Sequence, residues 1–164
     1  MLCRPPRSPG TYALLLRVTL WHAVRVDARG RLVAVLRPGL YAYVGSAWGP
    51  GGLAARIERH LGLRRKRLWW HIDRVLASEY VSVEGVVYAP GCRGESLLAE
   101  RLSRFAEPVP GVGSSDDPRA PSHLYLLPRD AGAERLALLM EMVCGSRVQR
   151  CTSASTGGPQ PPGA

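Results

Sequence analysis

Lysine is almost missing from the chain: Lys66 is the only one among 22 basic residues, so nearly all cationic charge is arginine. Acidic residues number 13, leaving a formal net charge of +9 and a sequence pI of about 10.1. Such a surface attracts polyanions, nucleic acid being the commonest. Cysteine is scarce as well. Cys3, Cys92, Cys144 and Cys151 are scattered without a C-x-x-C pair, which excludes a zinc site made of cysteine alone. The opening "MLCRPPRSPG" has charge and proline where a signal peptide carries its apolar region. Reduced thiols and a cytoplasmic location are therefore expected. No apolar run reaches the roughly 18 residues of a membrane span, because Arg17 interrupts "YALLLRVTLW", and no membrane partner is expected. The pattern G-K-[ST] does not occur, which excludes a P-loop, and there is no internal repeat.

What is present fits one core, since 164 residues are enough for one well-buried domain and too few for two full-sized ones. Residues 1–9 and 146–164 are rich in proline, arginine and small polar residues and read as a disordered arm and tail. Between them, Tyr12, Leu14, Leu16 and Val18 alternate as in a strand. "HAVRVDARGRLVAVL" reads as two short strands around a turn. "GLYAYVGSA" gives another strand, with Leu40, Ala42 and Val44 on one face and Tyr41 and Tyr43 on the other. Leu53, Ile57 and Leu61 recur every fourth residue, predicting a helix that ends near Gly62. A second helix is expected at 68–78 with Leu68, Ile72, Val75 and Leu76 inward. "YVSVEGVVYA" reads as a strand, "GESLLAERLSRFA" as a helix with Leu98, Leu102 and Phe105 inward, "SHLYLL" as a strand, and "AERLALLMEMVC" as a last helix at 129–145. The order predicts an α+β fold, a small mixed or antiparallel sheet flanked by helices.

The junction "GPGGLA" between strand and helix could offer backbone N–H groups to a phosphate. It even fits G-x-G-x-x-A at Gly49, Gly51 and Ala54. The repeated strand and helix units of a dinucleotide fold do not follow it, and Asp73, at about the right separation for the ribose acid, falls in a predicted helix. A plain tight turn and a mononucleotide site remain as alternatives. Arg56 and His60 stand four apart on one edge of the next helix, beside the apolar stripe, and "RRKR" at 64–67 is a basic loop. Glu95 precedes Leu98 by three and Leu102 by seven, so a carboxylate lies in line with an inward stripe. A first-turn glutamate favoured by the helix dipole is the simpler account of it.

Taken together, "GTY" at 10–12, "YVG" at 43–45 and Arg56 on the following helix resemble the GIY-YIG nuclease superfamily. Within it the chain looks most like the small, mainly archaeal domain of unknown function that occurs alone or fused to an endonuclease III-type glycosylase. "YAYVGSAWGPGGLAARIERH", "WHIDRVL", "EPVPGVGSSD" and "SHLY" carry that likeness over roughly residues 10–128. The resemblance implies a metal-dependent endonuclease that hydrolyses DNA phosphodiester bonds, in repair or processing and alongside a repair protein as partner. It assigns Tyr43 as the base or the residue positioning water, with Tyr12 beside it and a neighbouring cation needed to lower the phenol. Arg56 is the phosphate-contacting cation and Glu95 the ligand of Mg²⁺ or Mn²⁺. His60 matches the R-x-x-x-H pattern and would orient the nucleophile or touch phosphate. Gly45, Ser46, Gly51 and Gly52 would meet the nucleic acid at the turn, and Arg59, Arg64, Arg65, Lys66 and Arg67 beyond it. His71 and Asp73 are expected to form a supporting hydrogen-bond pair with Trp70 in the core, and His123 matches "SHLY" without an assigned role. Two departures stand out: the chain has no asparagine, whereas many superfamily nucleases end their pattern with one, and "SSDDPRAP" replaces the cysteines that related sequences often carry before "SHL". The alternative reading is an inactive nucleic-acid-binding module with the same fold.

Overall fold

The computed structural model describes residues 3–62, 67–113, 120–145 and 148–152. The alternation in the first strand is real and two-sided. β1 (Gly10–Val18) places Tyr12, Leu14, Leu16 and Val18 in one buried cluster and Ala13 and Leu15 in another. A strand buried on both faces lies in a sheet covered on both sides. β1 is also central, pairing antiparallel with β4 (Gly39–Ser46) on one side and β5 (Val81–Pro90) on the other.

Before β4 the hairpin of β2 (His22–Arg25) and β3 (Val33–Leu36) forms its own two-stranded sheet. The main sheet has the order β6-β7-β4-β1-β5-β8, with β6 (Glu107–Pro108), β7 (Leu124–Leu126) and β8 (Gln149–Thr152), and every neighbouring pair is antiparallel. One face packs on α1 (Gly52–His60) and α2 (His71–Leu76) through Leu53, Ile57, Ile72, Val75 and Leu76. The other packs on α3 (Glu95–Leu102) and α4 (Ala133–Cys144) through Leu98, Leu102, Leu136 and Met140. The α+β expectation holds, and the sheet is the antiparallel of the two forms anticipated.

Several boundaries differ from the sequence reading. Leu68 is exposed and precedes α2, which starts only at His71 because Trp70 is extended (φ −105°, ψ 158°) and Asp73 accepts its N–H. Phe105 lies beyond α3 at the surface, under the Arg135 guanidinium, rather than inward. The expected arm at 1–9 is laid down from residue 3: Pro5 is buried, and the Pro6 and Ser8 carbonyls accept the Ala54 and Leu53 N–H groups. Part of the expected tail at 146–164 is β8, paired with β5, and residues 153–164 lie outside the described residues. The cysteines, expected reduced, are paired as Cys3–Cys151 and Cys92–Cys144, with Cα atoms 5.4 and 5.5 Å apart. Their separations of 148 and 52 residues hid a proximity that only the fold creates. Among the described residues no helix is long and apolar enough to cross a membrane.

Candidate active site

Tyr12 and Tyr43 point to the same face because each occupies the same parity of its strand, and the β1–β4 register sets Tyr12 opposite Gly45. That glycine is a spatial requirement. A Cβ at Gly45 would run into the Tyr12 ring. Tyr12 is fully buried and its hydroxyl lies 2.6 Å from Nε2 of His60 on α1, itself buried. The Tyr43 ring meets the same imidazole edge-on at 6.1 Å. Arg56, one turn earlier on α1, stacks its guanidinium 4.2 Å from the Trp70 ring centroid, and among the described residues no carboxylate pairs with it.

From the opposite layer, the first residue of α3 reaches the same place. Glu95 lines a cleft of about 340 Å³ with Tyr12, Tyr43, Gly45, Ser46, Arg56 and His60, closed by Trp69, Trp70, His71 and Gly113. Its Oε1 lies 3.0 Å from Nδ1 of buried His123. The position of Glu95 is fixed by the loop before it, where Thr11 Oγ1 donates to the Cys92 carbonyl and accepts the Gly94 N–H.

Burial, rather than charge, controls the phenols. It pushes Tyr12 well above the ordinary tyrosine value, with Tyr43 adding to the effect. Burial also raises Tyr43, helped by the Glu95 charge and only partly opposed by Arg56. The expectation that a nearby cation would lower a phenol into the working range is therefore not met: Arg56 acts in that direction and is outweighed.

The remaining sequence-assigned residues divide. Arg59 is committed to Asp73 at 2.8 Å and to the Arg67 carbonyl at 2.6 Å, so it anchors the 67–73 segment. Burial pushes the Asp73 carboxyl up, but the Trp70 amide, Arg59 and the Trp69 amide together outweigh it and hold the group below its usual range. His71 and Asp73, expected as a pair, have separate partners: Nδ1 of His71 sits 3.0 Å from the Gly111 carbonyl. Gly51 and Gly52 have left-handed φ of 82° and 57°, as the turn into α1 requires. The helix N-terminus they form is already occupied, since the N–H groups of Gly52, Leu53, Ala54 and Ala55 go to the carbonyls of Gly49, Ser8, Pro6 and Gly51. Neither the phosphate-cradle nor the mononucleotide reading finds free amides there. Arg64, Arg65 and Lys66 fall outside the described residues.

Sequence reasoning missed Trp69, Trp70 and Gly113 as cleft walls and His123 as the partner of Glu95. The tandem tryptophans beside a basic loop were the available signal. A larger hollow of about 710 Å³ opens at the other end of β1 and β4, but its lining, which includes Arg17, Arg37 and Arg129, has no carboxylate, imidazole or phenol.

A family model described as "Domain of unknown function DUF123" matches residues 11–144, most of the chain, so the protein belongs to that family. The match runs through α4, beyond the residue 128 at which the motif likeness ends. No curated protein and no solved structure matches the chain.

Proposed function

We propose that this member of the DUF123 family is a phosphodiester hydrolase acting on nucleic acid, DNA above all, in repair or processing, and that its kinship is with the GIY-YIG nucleases. One observation carries the reading. Tyr12, Tyr43, Arg56 and Glu95 come from β1, β4, α1 and α3, yet line one cleft together with His60.

The planar fork of Arg56 holds a nonbridging phosphate oxygen, and its stacking on Trp70 presents it in one orientation. Because both phenols stay protonated, Tyr43 works as a hydrogen-bond donor that positions the water or the phosphate. With His60 carrying its proton on Nδ1, the Tyr12 hydroxyl donates to Nε2 across 2.6 Å. It can then pass that proton on while taking one from the attacking water, which leaves hydroxide without a free phenolate.

Among the described residues no three His, Cys, Asp or Glu side chains form a metal cage, and Glu95 is the one carboxylate lining the cleft. That donor set suits Mg²⁺ or Mn²⁺ held by a single carboxylate, its own waters and the substrate phosphate. Bound there, the ion supplies charge stabilisation at the leaving oxygen. His123 orients Glu95 for that role.

The test is cleavage of duplex, single-stranded, nicked and branched substrates with Mg²⁺ and Mn²⁺, beside Arg56→Ala and Glu95→Ala, with circular dichroism checking each fold. Loss of about 10²- to 10³-fold in kcat for Arg56→Ala is expected, the usual effect of removing one preorganised donor. Binding without cleavage in wild type and variants alike would replace the hydrolase by a nucleic-acid clamp.

A further inference from the structure

Beside the cleft lies a second hollow of about 310 Å³, lined by Ala47, Gly49, Ala55, Arg56, Trp69 and Trp70 among others. It shares Arg56, Trp69 and Trp70 with the cleft as lining residues, so the same three side chains border both spaces. Trp69 is 65% exposed. Its exposure is built in. The backbone N–H of Trp69 donates to Asp73 at 2.9 Å, the Arg59 guanidinium stands 4.7 Å from the indole ring centroid, and the Trp70 ring meets that ring at 90°. Ala47, Gly49 and Ala55 in the same lining are small, and a Cβ at Gly49 would meet nothing within 4 Å.

We infer that this hollow is a nucleobase subsite, and that the substrate of the cleft is a nucleic acid with an unpaired nucleotide at the scissile position. The volume is at the lower end of the roughly 300–1,000 Å³ typical of small-ligand sites. Arg56 lines it with no carboxylate paired to it among the described residues, while Arg59 is held by Asp73; this disfavours a cationic guest and favours a planar one bearing an anion. A nucleotide answers both demands, with its base on the Trp69 indole and its phosphate at Arg56. Within a duplex, bases are stacked and paired, so an indole on the protein surface can stack only on one that is extrahelical or single-stranded.

This inference rests on the phosphodiesterase reading of the cleft, and the test separates the two. Binding is followed by fluorescence anisotropy in EDTA, with a fully paired duplex, the same duplex carrying a one-nucleotide bulge, and that bulge made abasic, each as DNA and as RNA. The bulged probe should bind about 5- to 150-fold more tightly than the abasic one, the range of base–aromatic stacking. Trp69→Ala should abolish the difference and Trp69→Phe restore most of it. Gly49→Leu, which adds bulk to the lining of the hollow, should weaken the preference for the bulged probe. Equal affinity for bulged and abasic probes, unaffected by Trp69→Ala, overturns the subsite and leaves the hydrolase to the Arg56→Ala cleavage test. Failure of every probe to bind overturns both.

Discussion

Gly45 shows at one residue how the sheet makes room for the site. It stands opposite Tyr12 in the β1–β4 pair, and any side chain there collides with the ring that reaches His60. Gly45→Ala should destabilise the fold by about 1–3 kcal/mol, the usual cost of overpacking, measured by urea unfolding, and should lower cleavage further by moving the Tyr12 hydroxyl. The phenols give a second residue-scale expectation. Tyr12 and Tyr43 stay protonated in the fold above the pH at which free tyrosine ionises. Their contribution to stability is thus complete below about pH 10 and is lost as the pH rises through their folded values. Ultraviolet titration of phenolate should show at least two tyrosines that ionise only together with unfolding. Two phenolates appearing near neutral pH in the native protein would contradict the donor role given to Tyr43.

Elements, more than residues, decide what could be read from the sequence. β1, β4, β5 and α4 were legible because each carries a strong period and is buried on at least one face. β8 was not, since "QRCT" is a short, largely exposed edge strand without alternation, and β6 is only Glu107 and Pro108. Phe105 continued the α3 stripe on paper, but the helix stops at Leu102. The site was legible to a similar degree. Tyr12, Tyr43, Arg56, His60 and Glu95 follow from motif and spacing, whereas Trp69 and Trp70 were hidden because an extended segment gives no period. The loop from Cys92 to Glu95 is also an element with a task. The Cys92–Cys144 bond ties it to the end of α4, and closing a loop of this length contributes about 4 kcal/mol by the chain-entropy account. Cys92→Ser with Cys144→Ser should lower unfolding stability by roughly that amount, and reduction with dithiothreitol should lower the melting temperature in parallel. An unchanged melting temperature on reduction would contradict the pairing.

At the scale of the whole molecule, charge complements the cleft. The net charge of +9 gives long-range attraction for a polyanion, but part of that charge, Arg59 of the expected contacts included, is engaged within the fold. Arg17, Arg37 and Arg59 are paired with Glu84, Glu107 and Asp73, and at the start of α1 the Leu53 and Ala54 amides are taken by the N-terminal segment and those of Gly52 and Ala55 by Gly49 and Gly51. On the proposed function, phosphate contact would fall to Arg56 and a few further arginines. If four or five basic residues make such contacts, affinity should fall with a log–log salt slope of about −4. A slope near zero would remove nucleic acid as the substrate class.

The most direct test of the central claim is the single-turnover rate of oligonucleotide cleavage with Mg²⁺, wild type against Arg56→Lys and Arg56→Ala. The account expects cleavage by the wild type, a loss of about 10²- to 10³-fold in Arg56→Ala, and little rescue by lysine, whose point charge lacks the fork that meets phosphate. Wild-type cleavage that survives Arg56→Ala undiminished would place the chemistry elsewhere, and no cleavage by the wild type would leave the cleft without the hydrolysis assigned to it.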